Sequence, residues 1–261
     1  MNFRQKLGLN RFMPAAILLL MSACASSPNA PRTLSKQEKI DGLMKIAAAA
    51  VNDKDHISAL EALKRVEELD DSIPQEHYLY ALAYLGKNEL ALAEASARTA
   101  LRLDPKFTAA KNTLGKVLLD QGKLQESETL LKAAAADILY RESVLPKINL
   151  GILYFKKSNF PESEKWLNQA IAEGGTVTCM AQFYLGKIML ERNELGKAAR
   201  NLTLATKGAC SGISEAHIAL GKTLIRQKRY DEARSKFIEI QRLFPEGDSY
   251  DQAAEYLRGI P

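Results

Sequence analysis

The chain has 261 residues, 46% of them hydrophobic and 26% charged, with 15 glycines, 9 prolines and 3 cysteines. That composition excludes a disordered chain, a collagen and a disulfide-dense miniature scaffold. The one long apolar run lies at the N-terminus, which excludes a polytopic membrane architecture, and part of the formal charge of +5 lies in that same segment.

The first element reads as an export signal. Arg4, Lys6 and Arg11 form a basic stretch without an acid, and Phe12 to Met21 supplies about ten mostly apolar residues. Such a run is too short to span a hydrocarbon core of roughly 30 Å. Met21-Ser22-Ala23-Cys24 follows and resembles the bacterial lipobox, with Met in place of its usual leucine. The resemblance implies that Cys24 becomes the first mature residue and carries the acyl chains. Two or three chains at about 0.8 kcal/mol per buried methylene make a stable anchor. Ala25 in place of aspartate implies, by the enterobacterial sorting rule, an outer-membrane lipoprotein facing the periplasm. Removing residues 1–23 takes away three cations and no acids, leaving 33 Lys and Arg against 31 Asp and Glu. A mature charge near neutral argues against a nucleic-acid binder. Residues 25–35, small, polar and proline-containing, read as a flexible tether.

From about Ile40 the apolar spacing is helical, with breaks every 14–20 residues at 52–55, 86–89, 121–123, 157–159, 192–194 and 227–229. A small residue recurs at Ala47, Ala81, Gly115, Gly151, Gly186 and Gly221, at intervals of 34, 34, 36, 35 and 35. A residue, usually large, stands three positions after each: Ala50, Tyr84, Leu118, Tyr154, Met189 and Leu224. The second half of each unit repeats a small residue and, in five of the six, a large one four positions on, as in Ala59 with Leu63 and Ser163 with Leu167. This pattern resembles the tetratricopeptide repeat, a helix–turn–helix unit of 34 residues whose apolar face is buried only by stacking on its neighbours. The fold class implied is all-α: a right-handed superhelical solenoid of six helix pairs plus a C-terminal capping helix. The expected organisation is a signal peptide over 1–23, a lipidated cysteine and tether over 24–36, and a solenoid over 37–261. Its repeats fall near 40–73, 74–107, 108–143, 144–178, 179–213 and 214–247, with the cap over 248–261.

No constellation for catalysis is visible. HExxH, GxSxG, CxxC and phosphate-binding glycine loops are absent from the sequence. His77 and His217 occupy the fourth position of their units and read as packing aromatics, and His56 reads as part of a solvated turn. The expectation is a non-enzymatic protein-binding solenoid without metal, cofactor or small-molecule substrate.

A lipobox in front of six such repeats is similar in layout to the type IV pilus biogenesis lipoproteins of the PilF/PilW/Tgl kind, the pilotins that bring the pilus secretin to the outer membrane. The likeness is most specific where Asp137-Ile138-Leu139-Tyr140 is followed by Asn149-Leu150-Gly151. It implies a protein that binds a secretin subunit and promotes its outer-membrane localisation or multimerisation. A periplasmic adaptor that scaffolds cell-wall hydrolases or other envelope machinery is the alternative.

Cys179 and Cys210 stand at positions 1 and 32 of one unit, where antiparallel helices bring the start of the first and the end of the second together. In an oxidising periplasm a disulfide is expected there, against the alternative of two free thiols. In a superhelix of this type the first helix of each unit lines the concave groove, chiefly through positions 2, 5, 9 and 12. Those positions give Tyr78, Leu82 and Leu85, then Asn112, Lys116 and Leu119, then Ile148, Ile152 and Phe155, then Phe183 and Lys187, then Ile218, Lys222 and Ile225. An apolar lining flanked by lysines suits an amphipathic helix or extended segment with acidic residues, expected to be a segment of the secretin. The competing expectation is that some of these side chains pack between units.

Overall fold

The computed structural model describes residues 33–174 and 178–261, of which Lys36–Pro261 form one compact unit. Cys24 and the apolar run before it lie outside the described residues. Among the described residues there are thirteen α-helices, twelve of them in six antiparallel pairs. The pairs are α1 (Lys36–Asn52) with α2 (His56–Glu67), α3 (Pro74–Gly86) with α4 (Leu90–Leu103), and α5 (Thr108–Asp120) with α6 (Leu124–Ala135). Then come α7 (Val144–Lys156) with α8 (Phe160–Glu173), α9 (Cys179–Glu191) with α10 (Leu195–Leu204), and α11 (Ser214–Arg226) with α12 (Tyr230–Leu243). The last helix, α13 (Asp248–Gly259), covers the end of the stack. Each helix packs against the next in sequence and each odd-numbered helix against the next odd-numbered one, which is a tetratricopeptide superhelix.

The recurring small residues explain the pairing. A Cβ on Gly115 would fall 2.7 Å from the Leu131 side chain, and one on Gly151 only 2.4 Å from Leu167. Gly186 meets Leu202 at 2.7 Å and Gly221 meets Phe237 at 2.6 Å in the same way. Each large residue of the second helix therefore occupies the space that a side chain on the first would fill, and all four are fully buried. In the second pair, Ala81 and Ala97 share the space between two small side chains. Ser127 and Ser163 add a buried bond, their hydroxyls donating to the Gly115 and Gly151 carbonyls at 2.6 and 2.7 Å.

The turns inside the pairs are equally regular. Lys54, Asn88, Gly122, Ser158, Asn193 and Lys228 all adopt a left-handed backbone, with φ between 58° and 78°. The next amide closes each helix by donating five residues back, as from Glu89 to Tyr84 at 2.9 Å and from Glu194 to Met189 at 2.8 Å. This is a helix C-cap in which a left-handed residue satisfies the last carbonyls. The residues that accept, Ala50, Tyr84, Leu118, Tyr154, Met189 and Leu224, are those three positions after the recurring small residue.

Charged side chains knit the outer junctions. Glu94 accepts from Lys123 at 2.7 Å and from Arg98 at 2.8 Å, and these cations hold its carboxyl down at about 2. Arg192 grips Glu164 through two bonds of 2.9 and 2.7 Å. Lys132 and Lys157 hold Glu128 down in the same manner, also at about 2.

Candidate functional site

Helices α3, α5, α7, α9 and α11 lie side by side, so their free faces form one wall. The expected groove residues divide on it into two groups. Tyr78, Leu82, Leu85, Lys116, Phe155, Lys187 and Ile225 are partly exposed, and Lys222 is exposed. Asn112, Ile148, Ile152, Phe183 and Ile218 are buried, and Leu119 has no exposed surface at all. Leu119, Ile148 and Ile152 belong to the core cluster between the third, fourth and fifth pairs. This corrects the sequence expectation for them: neighbouring odd-numbered helices stand so close that side chains on their flanks fill the seam instead of the open groove.

Aromatic side chains gather at two places along this wall. Tyr78 lies against Phe107 with ring centroids 5.0 Å apart, and burial raises its phenol pKa. The loop after α6 adds Tyr140, whose hydroxyl donates to Glu142 at 3.1 Å and whose pKa burial also raises. Asp137 holds that loop in shape: it accepts from the Leu139 amide at 2.9 Å and from the Thr108 hydroxyl. Two residues of that loop, Ile138 and Leu139, are 95% and 84% exposed. Asn149 donates to Asn112 at 3.0 Å in a buried amide pair that ties α7 to α5. Of the residues that carried the likeness, Asp137, Asn149 and Gly151 each hold one joint of the third and fourth pairs, while Tyr140 bonds within its own loop.

Further along, Phe155, Phe183 and Tyr184 surround the Lys187 ammonium at 4.7, 5.5 and 5.2 Å from their ring centroids. Phe155 and Phe183 both pack edge-on to Tyr184, at 5.2 and 5.4 Å. Burial lowers the Lys187 pKa, since the charged form loses water there. Lys222 lies 5.8 Å from the Tyr256 ring of α13, whereas Lys116 is bonded to Asp120. The three lysines expected to act alike therefore do not: one is neutralised by its own helix and two face rings.

A cavity of about 530 Å³ lies between α9, α11 and α13, with Phe183, Lys187, Ile218, Lys222 and Arg226 in its wall. A wider cleft of about 1000 Å³ runs between α10 and α12 and is lined by charged side chains that include Arg200, Arg229 and Glu232. Arg229 and Glu232 there are already bonded to each other at 2.6 Å, so the narrower cavity offers the less satisfied chemistry.

Cys179 and Cys210 form the expected disulfide, with Cα atoms 5.3 Å apart, and pin the start of α9 to the short 3₁₀ turn Gly208–Cys210 after α10. His77 and His217 each bond the carbonyl six residues earlier, Asp71 at 2.9 Å and Ser211 at 3.0 Å. Desolvation lowers the pKa of the fully buried His217, whose ring packs edge-on against Phe244. His56 is the first residue of α2 and its ring sits against Gly86, so it packs instead of lying in a solvated turn. Among the described residues no group of three or more His, Cys, Asp or Glu is arranged to hold a metal, and no helix is long and apolar enough to cross a membrane.

Sequence reasoning missed Glu76 and Tyr184. Glu76 is a fully buried carboxylate whose two oxygens have no hydrogen-bond partner. The signal is in the sequence: aligned on the recurring small residue, its counterparts are Gly42, Ala110, Pro146, Ala181 and Ala216. Tyr184 follows Phe183 directly and stands outside the fixed positions 2, 5, 9 and 12 of its unit.

The tetratricopeptide-repeat family profile matches residues 78–143 and 112–177. The chain is 21% identical over 190 residues to the type IV pilus assembly protein PilF of Pseudomonas aeruginosa, which is 73% of this chain and 75% of that one. The solved structure of Pseudomonas aeruginosa PilF superposes with a TM-score of 0.67 at 18% identity, over 85% of this chain and 99% of that chain. PilW, a widely conserved type IV pilus biogenesis factor, superposes with a TM-score of 0.70 at 18% identity, over 82% and 98%. These likenesses carry the fold along nearly the whole of both solved chains. The chain thus carries a tetratricopeptide-repeat match over residues 78–177 and a tetratricopeptide superhelix similar to those of the type IV pilus assembly proteins PilF and PilW.

Proposed function

We propose that this protein is an outer-membrane lipoprotein pilotin that binds the type IV pilus secretin and promotes its localisation and multimerisation. The observation that carries the reading is co-extension. A solenoid of the same architecture runs from end to end of this unit and of PilF and PilW, with a lipobox-like Cys24 ahead of it. Lipidation would fix the protein on the periplasmic side of the outer membrane, and the aromatic concave face would hold a segment of the secretin subunit. Binding energy at such faces concentrates in a few aromatic and cationic anchors, here Tyr78, Phe155, Tyr184 and Lys187.

The test is to delete the gene, restore it as wild type or as Cys24→Ser, and measure heat-resistant secretin multimers in outer-membrane fractions. Wild type should restore the multimers and Cys24→Ser should not. Multimers that persist in the deletion strain would overturn the pilotin reading and favour an adaptor role.

A further inference from the structure

Because the helices alternate in direction, every odd-numbered helix begins on one edge of the solenoid, and the loops between successive pairs lie along that edge. The start of α1 belongs to it too: Lys36 stands 3.6 Å from Asp70, in the loop between α2 and α3. The segment that carries Cys24 therefore joins the solenoid on this edge. The loops after α2, α4, α10 and α12 turn a large apolar residue inward, and Ile73, Phe107, Ile213 and Phe244 are all half-buried. The loop between α6 and α7, the one that lengthens an interval to 36, does the opposite. It holds Ile138 and Leu139 outward, 95% and 84% exposed, where a loop that meets only water usually carries Gly, Pro, Asn, Asp or Ser. The tip is also held in shape. Asp137 accepts from the Thr108 hydroxyl of α5 and from the Leu139 amide at 2.9 Å, and the Tyr140 amide donates to the Asp137 carbonyl at 3.2 Å.

We propose that Ile138 and Leu139 form a lipid-facing wedge that dips into the periplasmic leaflet of the outer membrane, a second contact besides the acyl chains. The inference rests on the lipoprotein reading and adds how the solenoid is oriented: the edge with the loops between pairs faces the membrane, and the edge with the turns inside pairs faces away. Two side chains on a convex tip do not supply the roughly 800 Å² per partner of a stable protein interface. A bilayer asks only for apolar atoms a few ångströms deep once another anchor holds the protein at its surface. Two amides of the tip are bonded within the loop, so the tip leaves water without stranding those donors. The neighbouring polar groups fit the same placement. Glu142 is occupied by the Tyr140 hydroxyl at 3.1 Å, and the exposed Arg141 can lay its stem along the apolar pair and its guanidinium on a lipid phosphate.

The test is a tryptophan reporter, Leu139→Trp, in the full chain purified from cell membranes and reconstituted into phosphatidylethanolamine–phosphatidylglycerol vesicles, with or without bromine near the top of the acyl chains. Ile57→Trp is the comparison, because Ile57 is 67% exposed at the start of α2 on the opposite edge, and Trp166, the one native tryptophan, sets the background. Bromine should quench the Leu139→Trp emission about twofold or more beyond that background and leave Ile57→Trp at background. Equal emission of Leu139→Trp in both kinds of vesicle, or equal quenching at the two positions, would overturn the wedge. Acylation is read by mass on the same sample. An acylated chain whose tip is not quenched removes the wedge and leaves the lipoprotein reading standing, whereas an unacylated chain whose tip is quenched does the reverse. Secretin capture lost by Ile138→Ser with Leu139→Ser, together with an unquenched tip, would assign the pair to a protein partner and overturn the lipid contact.

Discussion

Asn149 donates its side-chain amide to the Asn112 carbonyl oxygen at 3.0 Å, and both residues are less than a tenth exposed. The bond is the polar hinge pin between α5 and α7, set in an apolar seam that includes Leu119 and Ile152. A buried acceptor that loses its donor costs about 1–3 kcal/mol. Asn149→Ala should therefore destabilise the solenoid by that amount in urea unfolding. A double-mutant cycle with Asn112→Ala should return a coupling of about 1 kcal/mol.

The close approach of paired helices makes Gly151 a second sensitive point. An added Cβ would meet Leu167 side-chain carbons at 2.4 and 2.5 Å, and Leu167 is fully buried with no room to retreat. Gly151→Ala should cost about 1–3 kcal/mol, the usual penalty for overpacking a dense core. Gly196→Ala is the control, because nothing lies within 4 Å of that position.

These joints show what the amino-acid pattern reveals and what it conceals. Gly115, Gly151, Gly186 and Gly221 announce helix approach because no other residue fits, and the Cys179–Cys210 bridge follows from antiparallel geometry. The left-handed turn residues are harder to see, since Gly122 alone among the six is a glycine and Lys54, Ser158 and Lys228 give no such signal. Leu119 reads as a groove residue because periodicity fixes a helix face but not how far the adjacent helix overlaps it. Tyr140 lies outside the regular unit altogether, in the loop that lengthens one interval to 36.

Glu76 gives the protein a pH response. Burial, then the charges of Glu67, Asp70 and Asp71, raise its carboxyl pKa to about 7, against 4.5 when solvated. The folded state therefore binds a proton that the unfolded state releases between these values. Stability from this residue is fully present below about pH 4.5 and declines as pH rises through 7. Glu76→Ala, the residue found at three equivalent positions, should raise the melting temperature by about 2–4 °C at pH 8. At pH 4.5 the gain should shrink towards zero. A gain that is the same at both pH values would show that the carboxylate charge is not the cause.

The disulfide should be quantitative and stabilising. Free-thiol labelling of the unfolded, unreduced mature chain should find neither Cys179 nor Cys210. Replacing both by serine should cost about 2–4 kcal/mol, the range for a closed loop of this size.

The central claim is that the concave aromatic face holds the secretin. Ile152 is unsuitable as a probe because it is 7% exposed and belongs to the core, so its loss would disturb the fold. Tyr78 and Phe155 are partly exposed and lie on helices of the second and fourth pairs. The direct measurement is secretin capture by the full chain carrying Tyr78→Ser and Phe155→Ser, with the fold verified by circular dichroism and melting. The account predicts that capture falls at least tenfold while helicity is unchanged; capture at the wild-type level by that folded variant would contradict it.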